Sequence, residues 1–165
     1  MKPMKTLAAA SLMVVALIGA AWADTMDEQK ALSAQAIGMW GDASLMDRIG
    51  DTLADGYMNH QVPDVNGGTQ TIDEAGWIEL LTGFHQSFSD VSVEILMQIG
   101  EGDEVATRWR FTATQTGTYL GLAPTDRTIN WTGIQIDRFE DGLIAETWVN
   151  WDMYGMFEQL GLVGQ

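Results

Sequence analysis

Cysteine is missing from this 165-residue chain, and histidine, proline and cations are scarce: 2 His, 3 Pro and 8 Lys plus Arg. Without cysteine there is no disulfide framework, no thiolate nucleophile and no soft thiolate metal site, so stability has to come from a hydrophobic core. The two histidines, His60 and His85, lack metal-ligand spacing, nothing like a His-Glu-x-x-His helix occurs, and no metal is expected. Against the 8 basic residues stand 23 acidic ones, a formal net charge of −15. So acidic a surface repels phosphate backbones and anionic lipid, which argues against nucleic-acid and membrane-surface partners. Glycine-rich phosphate loops, nucleophilic-serine motifs, internal repeats and low-complexity runs are absent as well.

One long apolar run is present, Leu7 to Ala21, preceded by Lys2 and Lys5 and ending at Ala21-Trp22-Ala23, a small-x-small cleavage pattern. It is short for a bilayer span. Residues 1–23 therefore read as a cleaved signal peptide, and the expected location is periplasmic or secreted, with no membrane attachment after cleavage. The remainder has the length of a single domain. Residues 24–41 read as an N-terminal extension or short helix, and 42–165 as the domain itself.

Ser44-x-x-Asp47 has the form of a capping box, and Leu45, Ile49, Leu53 and Tyr57 recur at helical spacing, which predicts a helix reaching Asn59-His60. After a loop at Pro63 to Gly68, a second capping box, Thr71-x-x-Glu74, opens a helix with Trp77, Leu81, Phe84 and Phe88 on one face. Beyond Asp90 the period drops to two. Val91, Val93, Ile95, Met97 and Ile99 alternate, Gly100 to Asp103 turns the chain, and Val105, Thr107, Trp109, Phe111 and Ala113 return it. Gly117 to Arg127 is a connection, Thr128 to Phe139 and Leu143 to Asp152 make a second hairpin, and Tyr154 to Leu160 is a short docking helix. Helices followed by four long antiparallel strands give an α+β domain with its helices on one sheet face.

Asp141-Gly142 is the tight-turn signal of that second hairpin. Unbroken alternation from there sets Ile144, Glu146, Trp148, Asn150 and Asp152 on one strand face. A carboxylate, an indole, an amide and a second carboxylate in place of aliphatic side chains read as the wall of a polar-tipped pocket. The stretch from Arg138-Phe139-Glu140-Asp141-Gly142 through Asn150-Trp151-Asp152 to Gly155 and Gln159-Leu160-Gly161 resembles the closing motif of the SnoaL-like polyketide cyclases. The resemblance continues upstream through Asn59-His60, Gly100 to Asp103, Arg108-Trp109, and Gly117 to Pro124-Thr125. It implies the cone-shaped, cystatin-like fold shared with ketosteroid isomerase and the nuclear-transport-factor-2-like group, a curved antiparallel sheet wrapped around N-terminal helices with an interior pocket. It also implies acid–base chemistry on a small hydrophobic carbonyl compound, such as an aldol ring closure, with no cofactor, metal or Schiff base. A homodimer formed through the outer sheet face is the matching expectation for assembly.

Asp152 is the expected acid–base residue. The resemblance gives its position the proton transfer, and flanking Trp148, Trp151, Met153 and Tyr154 would desolvate its carboxylate and raise its pKa. Standing before a short helix, it equally fits an N-cap, which would lower that pKa. His60, the side chain suited to trading protons near neutrality, is the second catalytic candidate, with a helix-end dipole contact as its structural alternative. Substrate-binding candidates are Tyr57, Trp77, Phe84 and Phe88, with Arg108 to orient a substrate oxygen or pair with Glu146 if its strand face turns inward. Gln135, Glu146, Trp148 and Asn150 join them from the second hairpin. Gln115 belongs with this group but departs from the Thr-His-x-Gly of many relatives: an amide holds a carbonyl yet transfers no proton. Two functions stay open. One is a cyclase- or isomerase-like enzyme. The other, favoured by export and by Gln115, is a non-catalytic exported protein that binds a small hydrophobic molecule or serves as an assembly module.

Overall fold

Strict two-residue periodicity builds most of the molecule. The computed structural model describes residues 25–63 and 68–163. The expected signal peptide and the middle of the Pro63 to Gly68 loop lie outside the described residues. A first helix, α1, covers 25–38, and a short 3-10 segment, Ala43–Asp51, follows it. Then come β1 (Leu53–Pro63), β2 (Thr69–Asp73), α2 (Glu74–Ser87), β3 (Phe88–Glu101), β4 (Glu104–Gln115), β5 (Thr128–Glu140), β6 (Leu143–Trp151) and α3 (Met153–Leu160).

The strands form one open sheet in the order β2-β1-β6-β5-β4-β3. Neighbours run antiparallel except β1 and β6, which are parallel. The β5–β6 turn is the expected one, with Asp141 and Gly142 both at positive φ, 51° and 84°. The sheet is curved and unclosed, the cone-type architecture that the α+β reading anticipates. Its concave face receives α1 and α2. Helix α2 begins at Asp73, whose Oδ1 accepts from Gly76 N at 3.0 Å, and it buries Trp77, Leu81 and Phe84 at helical spacing. Helix α1 sends Ala36 and Ile37 into the core and is tied to β3 by Gln98 Nε2, which donates to Lys30 O at 2.8 Å.

Two expectations are corrected. The helix expected from Leu45 to His60 is instead the 3-10 segment and then β1. Ile49, Leu53 and Tyr57 are buried as their spacing demands, but Gly56 takes φ +79° and β1 finds partners on both sides, β2 and β6. Two ladders of hydrogen bonds outweigh a weak helical propensity. With β2, these strands make the sheet six-stranded where four long strands were expected.

The second correction concerns β-bulges. Phe139 pairs with Ile144, while Arg138 pairs with Glu146, so Ala145 is an extra residue on β6. Ile144 faces inward, and beyond the bulge the inward set is Thr147, Val149 and Trp151. Glu146, Trp148 and Asn150 face the outer side, opposite Arg138, Ile136 and Ile134. A similar step at Leu96 turns Met97 and Ile99 outward on β3, where they are 49% and 59% exposed. One extra residue moves every later side chain to the other face.

Candidate functional site: an aromatic cavity with a polar floor

The inward residues of β1, β4, β5 and β6 enclose, with α2, α3 and the 116–127 loop, a cavity of about 600 Å³, within the range of small-molecule sites. Its walls are aromatic. Phe111 and Trp131 stack at 5.4 Å, Trp40 meets Phe84 edge-on at 5.1 Å, and Trp109 meets Phe111 edge-on at 4.7 Å. Gly133 makes room for Trp109: a Cβ there would lie 2.3 Å from the indole ring. Leu120 and Met153 line the cavity while remaining 48% and 39% exposed, which places its mouth between the loop and α3.

Polar groups gather where β1, β6 and β5 lie side by side. Asn59 pairs with Thr147, and Thr147 with Asp137. Asp137 is fully buried and accepts from Gln135 Nε2 at 3.0 and 2.9 Å and from Thr147 Oγ1 at 2.7 Å. Burial pushes its carboxyl above the ordinary value, against the lowering effect of the Gln135 and Thr147 bonds. Ser33 of α1 stands close enough to lower it further, though outside hydrogen-bonding geometry. Burial likewise raises the Tyr57 phenol, with Thr147 opposing it. Gln135, Thr147, Asn59 and Tyr57 line the cavity, and Asp137 stands directly behind them.

The catalytic candidates are placed elsewhere. Asp152 is exposed, does not line the cavity, and caps α3 by accepting from Gly155 N at 2.8 Å. The sheltered carboxylate expected there is corrected to the N-cap. His60 lies on the outer face, stacked on Trp148 at 5.0 Å, with Nε2 3.4 Å from Glu146 Oε1 and Nδ1 3.3 Å from Thr71 Oγ1. Glu146 also accepts from Arg138 Nε at 2.7 Å, a contact that holds its carboxyl below the usual range. Glu146, Trp148 and Asn150 thus form no pocket wall, because the Ala145 bulge reverses the count. Arg108 is exposed on the outer face and reaches neither the cavity nor Glu146.

Tyr57, Trp77, Phe84 and Gln135 do line the cavity. Phe88 stands behind Phe84, stacked at 4.7 Å. Gln115 is buried off the cavity as a clamp. Its Nε2 donates to Gly117 O and Ala123 O, and its Oε1 accepts from Thr125 Oγ1 at 2.7 Å, so it ties down the loop carrying Tyr119 and Leu120. Tyr119 packs on Phe88, and burial pushes its phenol up to about 12. The residues that sequence reasoning passed over are Asn59, Asp137 and Thr147. Their signal was present: Gln135-x-Asp137 continues the inward series Ile129, Trp131, Gly133, where a carboxylate is out of place.

Solved structures share this architecture. AclR of Streptomyces galilaeus is 25% identical over 85% of each chain, with a TM-score of 0.71. A SnoaL-like protein from Jannaschia sp. CCS1 is 16% identical over 84% of this chain and 94% of its own, with a TM-score of 0.73. IdmH of Streptomyces antibioticus is 24% identical over 81% of this chain and 98% of its own, with a TM-score of 0.67. No curated protein sequence matches the chain. The profile of the SnoaL-like polyketide cyclases matches residues 32–160, from α1 to the end of α3, and the chain belongs to that family.

Proposed function

We propose that the protein binds a small hydrophobic carbonyl compound in the aromatic cavity and moves a proton on it at the polar floor, without Asp152 or His60. One observation carries this reading: Thr147 lines the cavity and also donates a 2.7 Å hydrogen bond to the buried Asp137. A carbon acid beside a carbonyl gives its proton to Thr147 Oγ1 as the threonine's own proton passes to Asp137. The reverse transfer returns one proton to the enolate or new alkoxide. Burial strengthens Asp137 as a base, Gln135 Nε2 is engaged with Asp137, and Asn59 is the other cavity-lining amide beside the substrate's polar groups. The step needs nothing beyond these side chains.

Cyclisation or isomerisation is the reaction type that this floor fits. Family membership supports it, as does one neighbour, IdmH, described as a candidate polyketide cyclase; AclR, described as a candidate hydroxylase, points to a different reaction on the same fold. Native mass spectrometry of the protein from its own host identifies a retained ligand, on which Asp137→Asn and Thr147→Val are assayed. Both should lose turnover by about a hundredfold or more. Undiminished turnover in Asp137→Asn removes the step.

A second reading, ligand binding without catalysis, is favoured by one observation: among the described residues, no Asp, Glu, His, Lys or Arg lines the cavity. Under it the retained ligand leaves the protein chemically unchanged. Either activity is assigned to the periplasm or exterior by the signal-peptide reading of residues 1–23. Assembly is proposed as a homodimer through the outer sheet face. Met97, Ile99, Ile134 and Ile136 are exposed there, beside Arg108 and Arg110 on one hand and Glu94 and Glu104 on the other. That mixture is complementary to a second copy of itself.

A further inference from the structure

A helix docks on a sheet through an apolar stripe, but part of α1 lies on a polar seam. Gln98 Nε2 of β3 donates to Lys30 O at 2.8 Å and to Thr107 Oγ1 at 3.2 Å, and Asp137 of β5 lies under the same helix, facing Ser33. Most buried polar atoms in a folded chain find a partner. Among the described residues, Ser33 Oγ and Gln29 Oε1 are buried without one, in side chains that are 0% and 8% exposed. They stand four residues apart on α1 and so share one helix face, a turn from each other. A helical serine commonly bonds back to the carbonyl four residues earlier, and Ser33 leaves that outlet unused. Its hydroxyl therefore has two places to donate, Asp137 on the sheet and Gln29 Oε1 along the helix.

Resting on the acid–base role proposed above for Asp137, we propose that Ser33 is its positioning residue, a hydroxyl rotor that follows the charge of the carboxyl. While Asp137 is ionised, Ser33 turns to donate to it, beside the bonds already given by Gln135 and Thr147. Once Asp137 holds a proton, Ser33 turns to Gln29 Oε1. The structure holds Ser33 between these two partners, in bonding geometry with neither. The rotation lets a sealed carboxyl change charge without admitting water and without moving α1. Among the described residues, the titratable side chain facing Asp137 is the Tyr57 phenol of β1, which burial and the nearby carboxylate keep neutral. β5, β6 and α1 bring the neutral Gln135, Thr147 and Ser33.

NMR of the full protein with labelled aspartate carboxyl carbons reads Asp137 directly, its signal assigned by its loss in Asp137→Asn and followed across a pH series. Ser33→Ala removes a donor that the ionised form uses, so Asp137 should become about tenfold weaker as an acid. Gln29→Met removes the competing acceptor, leaves Ser33 with Asp137, and should make it about threefold stronger. In the Ser33→Ala background, Gln29→Met should change nothing. A packing role gives no reason for two neutral substitutions on one helix face to act with opposite signs. Thermal melting establishes that each variant is folded, and because each has its own sign, either one carries the test. A titration that a folded variant leaves in place, or moves against the stated direction, overturns the proposal, as does a Gln29→Met effect that persists without Ser33. No substrate enters this measurement, so failure here is separable from failure of the proton-transfer step, which turnover of Asp137→Asn reads.

Discussion

Three donated hydrogen bonds favour the ionised form of Asp137, yet complete burial outweighs them and its pKa rises. A carboxyl raised above its unfolded value, ordinarily 3.8, contributes stability below that pH and loses it as pH climbs through the folded value. Wild type should therefore lose stability relative to Asp137→Asn as pH rises from 3.8, which urea denaturation across a pH series measures. A gap independent of pH would show that burial does not govern this group. The residue was legible in principle, as a charged side chain at an inward position of a regular strand. It was missed because the following strand carries more conspicuous polar residues.

Asp152 belongs to its helix. As the N-cap of α3 it accepts from Gly155 N, and a Cβ on Gly155 would lie 2.2 Å from its carboxylate. Asp152→Ala should cost about 1 kcal/mol in thermal denaturation. Asp152→Asn preserves the cap and should leave turnover unchanged, the opposite of what a catalytic aspartate would give. Gln115 serves the rim loop in the same structural way. Gln115→Leu strips partners from Thr125, Gly117 and Ala123, and amide exchange across 116–127 should quicken by about tenfold or more. Protection equal to wild type would mean the loop is held by Tyr119 packing alone. Elements whose signal is local were readable: the Asp141-Gly142 turn, the buried face of α2, whose cap is however Asp73 and not the expected Thr71 box because Thr71 lies in β2, and the long hairpins. Strand β1 was not, because Leu53 and Tyr57 satisfy a helical stripe as readily as a strand that has partners, and those partners lie far along the chain.

Over the whole molecule, charge and apolar surface are unevenly shared. A chain of net charge −15 repels copies of itself over most approaches. The outer face of β3 to β6 combines exposed Met97, Ile99, Ile134 and Ile136 with arginines and glutamates in cross-strand pairs such as Arg110–Glu94 at 3.0 Å. Sedimentation velocity should show a dimer, and Ile136→Glu should convert it to a monomer. A monomeric wild type would discard the interface. Cone and family were within reach of the sequence because closing motif, turn and strand periods agree along most of the chain. The cavity's lining was out of reach because curvature depends on single extra residues that leave no compositional trace.

Ala145 gives this a concrete consequence. Excising one residue from a strand ordinarily inverts all that follows, but here it would merely regularise the pleat: Ile144 would still point in, Glu146 out and Thr147 in. What would vanish is the local kink. A chain shortened by this alanine should fold with its pairings intact around a flatter cradle, so the length of β6, more than its composition, shapes the space left for a guest.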